Sequence, residues 1–444
     1  MALITKAVKG TQDMLPEETG RQRYIENSLF EIAQAYGFKE IRTPVFEHTE
    51  LFQRGVGETT DVVQKEMYTF DDKGGRSITL RPEGTAGAVR AFLEHGMFND
   101  ALPKKLCYIL NCYRYEKPQA GRWREFQQFG VEMFGSASPA ADAEVISLAN
   151  SVFEYFGIKG LELHLNSIGC PECRKKYHAA LKEYFEGRKS ELCGTCLERL
   201  DKNPMRILDC KSPECKSVAE QSPVIIDYLC DECREHFDKV CKYLDSMGIE
   251  YTVDPRIVRG LDYYTRTVFE FVSTSIGAQG TVCGGGRYDG LVSELGGPDT
   301  PALGFGMGIG RLKMLIENQE SALPDDTPCD IYIAPMDEEA SLVTMALASD
   351  LRSGFIYAET DVSGRSLKAQ MKYAGKIGAR YTAVIGSDEL KENAVKVKNM
   401  QTGESETVSL DNFEEDFMRL VVQQSAAELG EAGDGVSFDN IFGF

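Results

Sequence analysis

Apolar residues recur at helical spacing near the start of the chain: Ile25, Leu29, Ile32, Ala33 and Tyr36 fall on one face of a 3.6-residue repeat. Pro16, Glu17 and Glu18 suit a first turn, where proline needs no amide partner and acids complement the helix dipole. Gly37 can stop this helix, and Phe38–Thr43 reads as a strand before Pro44. From about residue 105 to 135 the repeat changes to two. Leu106–Glu116 and Arg124–Phe134 predict paired strands joined by a loop over 117–123. On the second strand Gln128 and Glu132 share one face, and Phe129, Val131 and Met133 share the other. A strand divided in this way turns one face to a core and leaves the other to solvent or to a site.

Residues 142–157 predict a helix. From 170 to 247 the chain is polar, helical and rich in cysteine, which reads as an inserted subdomain; strand-like, glycine-rich sequence resumes over 250–310. Pro324–Pro328 reads as a linker. Beyond it strands and helices alternate: DIYIAP, a helix over 338–352, FIYAET, a helix over 365–377, YTAVIG, then AVKVKNM and ETVSL. That alternation predicts a small α/β domain with a mostly parallel sheet. Residues 426–444 read as a disordered acidic tail.

The length of 444 residues predicts several domains, and 42% apolar residues supply ample core material. No uninterrupted apolar run is long enough to span a bilayer, and the opening MALITKAVKGTQD has no apolar signal core, so the expectation is a cytoplasmic protein without a membrane partner. The net charge of −20 counts against nonspecific binding of polyanions but leaves room for a local basic face. Thirteen cysteines without an export signal point to a reducing compartment, with thiols free or bound to metal.

Several nucleotide and hydrolase signatures fail. GFGMGIGRL (304–312) places Ile309 where the dinucleotide fingerprint needs glycine. No GxxxxGK[ST] loop, GxSxG elbow or HExxH pair occurs. Three other stretches combine arginine, carboxylate and glycine: TLRPEGTAG (79–87), CYRYEKPQAGRWREFQQFGVE (112–132), and RGLDYYTRTVFE (259–270) followed by GGGRYDGL (284–291) and GIGRL (308–312). Arginine offers phosphates a permanent, planar, bidentate charge. Carboxylates and amide oxygens bind ammonium groups. Any one of these arginines reads equally as half of a surface ion pair; several together among glycines and polar strand faces describe a site for a polyphosphate and an amino acid.

In this set of stretches the chain resembles the histidyl-tRNA synthetases. Arg114-Tyr115-Glu116, the loop, and Arg122 to Phe126 look like motif 2 of the class II aminoacyl-tRNA synthetases; Gly304–Leu312 looks like motif 3, with Arg311 as its arginine. RGLDYYTRTVFE and GGGRYDGL are similar to the two signature stretches of the histidyl family, and KGTQDMLPEE and TLRPEGT also match it. The resemblance covers roughly residues 5–420. It implies an α+β catalytic core over 1–169 and 248–325, an antiparallel sheet flanked by helices, with the helical Cys-rich insertion over 170–247. It further implies a C-terminal α/β anticodon-binding domain over 328–425, and a homodimer with the segment around Pro44 at the interface.

The resemblance also implies the reaction: L-histidine and ATP, with Mg²⁺, give histidyl-adenylate, and the histidyl group passes to the 3′ end of tRNA(His). Arg259 and Arg114 would be catalytic, neutralising charge at the α-phosphate. Arg114, Glu116, Arg122, Phe126 and Arg311 would bind ATP, with Arg122 and Arg311 on the phosphates and Phe126 on adenine. Glu83, Thr85 and Gln128 would meet the histidine ammonium, and Glu132 and Tyr264 its imidazole, with Tyr263 and Tyr288 completing the pocket. Gln119 would lie near the tRNA acceptor end, with Lys117, Arg122 and Arg124 nearby; Arg365, Lys368, Lys372 and Lys376 offer the C-terminal domain a basic face or a merely solvated one. The alternative is a catalytically altered paralogue, the regulatory subunit of ATP phosphoribosyltransferase.

Cys170/Cys173, Cys193/Cys196, Cys210/Cys215 and Cys230/Cys233 make four close pairs. Two thiolates two residues apart can share a tetrahedral ion, so the spacing suits structural Zn²⁺ as well as it suits free, partly buried thiols. One arrangement nests 193/196 with 210/215 inside 170/173 with 230/233; spacing does not fix the pairing. A zinc-stabilised scaffold built on these cysteines alone would leave the arginines without a purpose.

Overall fold

The computed structural model describes residues 4–57, 60, 62–119, 121–210, 212–273, 280–319, 323–324 and 328–431, with 425–431 described by backbone alone. Two units divide the chain, Met1–Pro324 and Asp325–Phe444.

The first unit is built on an eight-stranded sheet. Its order is Lys39–Glu40, Lys104–Tyr113, Glu125–Phe134, Ala302–Gly308, Thr281–Arg287, Thr265–Ser273, Leu161–Ser167 and Thr252–Val253. The two edge pairings are parallel and all the others antiparallel. The expected hairpin supplies its second and third strands: Lys104–Tyr113 pairs along its length with Glu125–Phe134. The alternation on the return strand holds. Phe129, Val131 and Met133 enter a core with Phe269, Phe305 and Met307, closed by Ile25 and Leu29 of the helix Pro16–Ala35 and by Val145, Ile146 and Ala149 of the helix Pro139–Tyr155. Each such buried side chain contributes about 1.5–3 kcal/mol relative to exposure. The opposite face of the same strand carries Gln128 and Glu132.

The first strand is shorter than expected: only Lys39–Glu40 of 38–43 is strand, because it lies at the edge of the sheet with a single neighbour. The helix expected from 142 begins at Pro139, where the Ser138 side chain accepts from the Ala140 amide and proline occupies the first turn. The insertion is helical, with Pro171–Glu186, Gly194–Lys202, Pro213–Ala219 and Asp231–Met247 as its longer elements.

In the second unit a five-stranded sheet runs Ala358–Thr360, Ile331–Pro335, Tyr381–Ile385, Ala394–Asn399, Ser405–Ser409. It is mixed rather than mostly parallel: the first three strands are parallel, and the last two add antiparallel. No helix long enough for a crossover separates the last two strands, so they fold back as a hairpin. The closing helix Phe413–Glu431 corrects the expected tail, because it runs past 425. Phe413, Phe417 and Leu420 seat its first turns on the sheet core. The rest of the expected tail, and 325–327 of the linker, lie outside the described residues.

Candidate active site

A cavity of about 740 Å³ opens over the centre of the large sheet, lined in part by Arg114, Glu116, Arg122, Phe126, Gln128, Arg259 and Arg311. The loop between Lys104–Tyr113 and Glu125–Phe134 supplies Arg122, whose guanidinium pairs with Glu116. Arg114 donates from Nε to the Pro82 carbonyl at 2.8 Å and lies 5.3 Å over the Phe126 ring. Arg311 follows directly on the strand Ala302–Gly308, at the start of the helix Ile309–Asn318, and donates to the carbonyls of Thr281 at 2.5 Å and Gly121 at 3.4 Å. Burial, then the charges of Arg122 and Arg114, hold the Arg311 guanidinium below its ordinary range; burial and Arg114 do the same to Arg122. Mutual repulsion among fixed cations is relieved by a polyanion.

Arg259 also lines the cavity. Burial pulls its affinity for the proton down, but the Glu270 carboxylate and Tyr264 together outweigh burial and raise it, so it stays charged. Its guanidinium pairs with Glu270 and lies 5.7 Å over the Tyr264 ring, while Nε is buried without a partner. Gly284 faces Glu270 in register, and a Cβ at 284 would stand 2.4 Å from Arg259 Nη1, which explains the glycine.

Behind the cavity lies a smaller, almost fully enclosed group. Glu132 is 1% exposed; Tyr108 donates to its Oε1 at 2.8 Å and Tyr288 donates to its Oε2. Burial pushes the Glu132 carboxyl up to about 8, against hydrogen bonds from Tyr288, Thr85 and Tyr108 that favour its charged form. Glu83 accepts from the amides of Thr85 at 2.7 Å and Ala86 at 2.9 Å, at the start of the helix Thr85–Glu94, and burial raises it too. Gln128 Oε1 accepts from the Gly84 amide at 3.2 Å. The rings of Tyr263 and Tyr264 pack 4.6 Å apart, and Tyr263 meets Tyr288 edge-on at 5.4 Å.

Thus the structure gathers Glu83, Thr85, Gln128, Glu132, Tyr263, Tyr264 and Tyr288 behind the arginines. Gln119 is exposed in the loop over the cavity, bridged to Arg122 and outside the lining. Two other arginines of the three stretches have structural work. Arg81 donates to the carbonyls of Asn111, Thr43 and Pro44. Arg287, 0% exposed, is held by Asp142, Asp289 and the Ser136 carbonyl. Arg124 stacks 3.9 Å over Tyr115. In the second unit Arg365 is paired with Asp361, whereas Lys368, Lys372 and Lys376 are exposed along one stripe of the helix Leu367–Lys376. Sequence reading missed Tyr108 and Glu270. Tyr108 looks like an ordinary strand aromatic, and only the register shows that its hydroxyl reaches Glu132.

The eight paired cysteines form two sets, Cys170/Cys173/Cys230/Cys233 and Cys193/Cys196/Cys210/Cys215, each with its four Sγ atoms within 4.8 Å of one another. Cys170 and Cys173 Sγ are 3.5 Å apart and Cys193 and Cys210 Sγ 3.8 Å, far beyond a disulfide and close to the edge of about 3.8 Å in a tetrahedron with Zn–S bonds of about 2.3 Å. The Cys230 and Cys193 amides each donate to a cluster sulfur, Cys173 and Cys215 respectively, at 3.1 Å; burial outweighs these bonds and raises both thiols.

An antiparallel-rich sheet carrying an arginine-lined cavity, with helices on its other face and a separate mixed-sheet unit, is the architecture of a class II synthetase core with an anticodon-binding domain. The histidyl-tRNA synthetase family model matches residues 10–312, and the anticodon binding domain model matches residues 330–419. The chain is 56% identical over 412 residues to a histidine–tRNA ligase of Caldanaerobacter subterraneus subsp. tengcongensis, covering 93% of this chain and 99% of the relative. It is 56% identical over 410 residues to that of Clostridium perfringens, covering 92% and 98%. The crystal structure of apo S. aureus histidyl-tRNA synthetase is similar with a TM-score of 0.81 at 42% identity, covering 93% of this chain and 100% of that one. The chain belongs to the histidyl-tRNA synthetase family.

Proposed function

We propose that the protein activates L-histidine with ATP and transfers the histidyl group to the 3′ end of tRNA(His). The observation that carries this reading is the arrangement of Arg114, Arg122, Arg311 and Arg259 around one cavity, with two buried carboxyls, Glu83 and Glu132, on neighbouring elements. A histidine carboxylate oxygen attacks the α-phosphorus, the bond from that phosphorus to the bridging oxygen breaks, and pyrophosphate leaves. Both reactants are anions, so fixed cations supply most of the stabilisation. Arg259 and Arg114 face the α-phosphate, Arg122 and Arg311 hold the outer phosphates, and Phe126 offers its ring to adenine. Mg²⁺ bound with ATP adds neutralising charge.

Glu83, Thr85 and Gln128 take the ammonium. Glu132 and Tyr264 take the two imidazole nitrogens, one a donor and one an acceptor in the neutral ring. Tyr263 and Tyr288 wall the pocket. An apolar side chain would strand these buried groups without partners, which is a strong basis for rejection. In the second step the terminal hydroxyl of the tRNA attacks the acyl carbon and AMP leaves, with Gln119 beside the acceptor end. Lys368, Lys372 and Lys376 offer the tRNA a positive stripe on the second unit. A homodimer through the segment around Pro44, a cytoplasmic location and one structural Zn²⁺ in each cysteine set complete the reading. The ligase name of relatives aligned over more than nine-tenths of this chain does not favour the regulatory-subunit alternative.

The test is charging of bulk tRNA by the purified chain with each amino acid in turn. Histidine alone should be attached, with histidine-dependent exchange of pyrophosphate into ATP. Absence of both would overturn the proposal.

A further inference from the structure

Each cysteine set carries an arginine that grips the segment from Arg259 to Arg266. Arg206 lies in the turn Pro204–Ile207, between Cys196 and Cys210 of the inner set. It is 8% exposed and donates to the Gly260 carbonyl at 2.8 Å and to Asp262 Oδ1 at 3.0 Å. Arg174 follows Cys173 of the outer set and donates to the Tyr264 carbonyl at 2.9 Å. Immediately before Cys170 the backbone is stitched to the same segment: the Ile168 amide donates to the Arg266 carbonyl at 2.7 Å, and the Arg266 amide to the Gly169 carbonyl at 2.9 Å. Glu232, between Cys230 and Cys233, pairs with the Arg266 side chain.

The braced segment is neither strand nor helix over most of its length, so its own backbone does little to fix it. Between the insertion's two longer helices, Pro171–Glu186 and Asp231–Met247, the inner cysteine set lies on short pieces, Gly194–Lys202, Pro204–Ile207 and Pro213–Ala219. A metal shared by thiolates from several short pieces holds them in one geometry. Four thiolates favour a soft, tetrahedral ion such as Zn²⁺.

We infer that two Zn²⁺ ions, one in each cysteine set, fix Arg206 and Arg174 as positioning residues, so that the insertion sets the place of Arg259 through Gly260 and Asp262 and the place of Tyr264 through its carbonyl. The inference rests on the assignment of Arg259 to the α-phosphate and of Tyr264 to the imidazole. It divides the labour: the inner set governs the chemical step, and the outer set governs histidine recognition.

Elemental analysis of the full chain, purified without chelator, should find two zinc ions per chain, and one after Cys193→Ser with Cys196→Ser. No zinc in the wild type would overturn the inference. Arg206→Ala and Arg174→Ala should both keep two zinc ions. In histidine-dependent exchange, Arg206→Ala should lower kcat about 10- to 100-fold, the cost of a misplaced catalytic group, with KM for histidine little changed. Arg174→Ala should instead raise KM for histidine, and Arg174→Lys should restore part of it. Wild-type kinetics in both, or the same change in both, would overturn the division. Should Arg206→Ala not fold, Asp262→Asn removes the same ion pair and should shift kcat in the same direction. A zinc-loaded wild type without histidine-dependent exchange would instead sink the ligase reading and leave the metal count standing.

Discussion

The Cβ that Gly306 lacks would stand 2.1 Å from Nε2 of Gln128. Gln128 is a flexible side chain, so Gly306→Ala should leave the fold intact and push the amide out of the site proposed for the ammonium. We expect KM for histidine to rise about 10-fold or more, in line with about 1–3 kcal/mol for crowding a packed site. Gly304 is the contrasting case. Its added Cβ would meet Glu132 Oε2 at 2.1 Å and the Val131 backbone oxygen at 2.2 Å, and backbone cannot swing aside. Gly304→Ala should therefore lower the midpoint of urea unfolding as well as activity. Equal unfolding midpoints for the two variants would refute this distinction.

Arg259→Ala should reduce histidine-dependent exchange by at least about 10²–10³-fold, the usual effect of deleting one preorganised electrostatic group, while unfolding remains cooperative. Exchange near the wild-type rate would remove Arg259 from the α-phosphate. Arg259→Lys keeps a charge but not the fork that meets Glu270, and should recover only a small part.

Glu132 ties stability to pH. Its carboxyl titrates at about 8 in the fold against an ordinary value near 4.5. Between those values the folded chain holds a proton that the unfolded chain has lost, so the contribution is full below about pH 4.5 and fades as pH rises towards about 8. The ligand-free Tm should fall across that window, by an amount reflecting a few kcal/mol. Glu132→Gln should flatten the slope. Scanning calorimetry at a series of pH values checks this; parallel slopes would show that another group titrates.

Asp142→Asn should cost about 3–5 kcal/mol in urea unfolding, because it leaves the fully buried Arg287 with an unbalanced charge. A loss below about 1 kcal/mol, as for an exposed pair, would mean that Asp289 and the Ser136 carbonyl suffice to hold it.

Much of this site is legible in the chain because strand alternation is local. Gln128 and Glu132 separate from Phe129, Val131 and Met133 by parity alone, and the nested sets that the sulfur atoms form are one of the arrangements that the cysteine spacing leaves open. What stays hidden depends on register between distant segments. Nothing near Tyr108 announces Glu132, and nothing near Arg259 singles out Glu270. For the same reason Arg81 and Arg287 resemble ligand arginines in sequence but are spent on buried backbone and carboxylates. The antiparallel end of the second sheet and the full length of its closing helix were hidden too, since both follow from what packs on what.

Within the strand Glu125–Phe134, residues 129, 131 and 133 face the hydrophobic interior, and residues 128 and 132 face the opposite side, where the proposed histidine pocket lies. Loss or gain of one residue inside this stretch would exchange the two sets wholesale, setting carboxyl against grease and phenyl against ligand. Amino-acid selectivity and the integrity of the molecule are thus interleaved letter by letter, and evolution can alter one here only by substitution, never by sliding the frame.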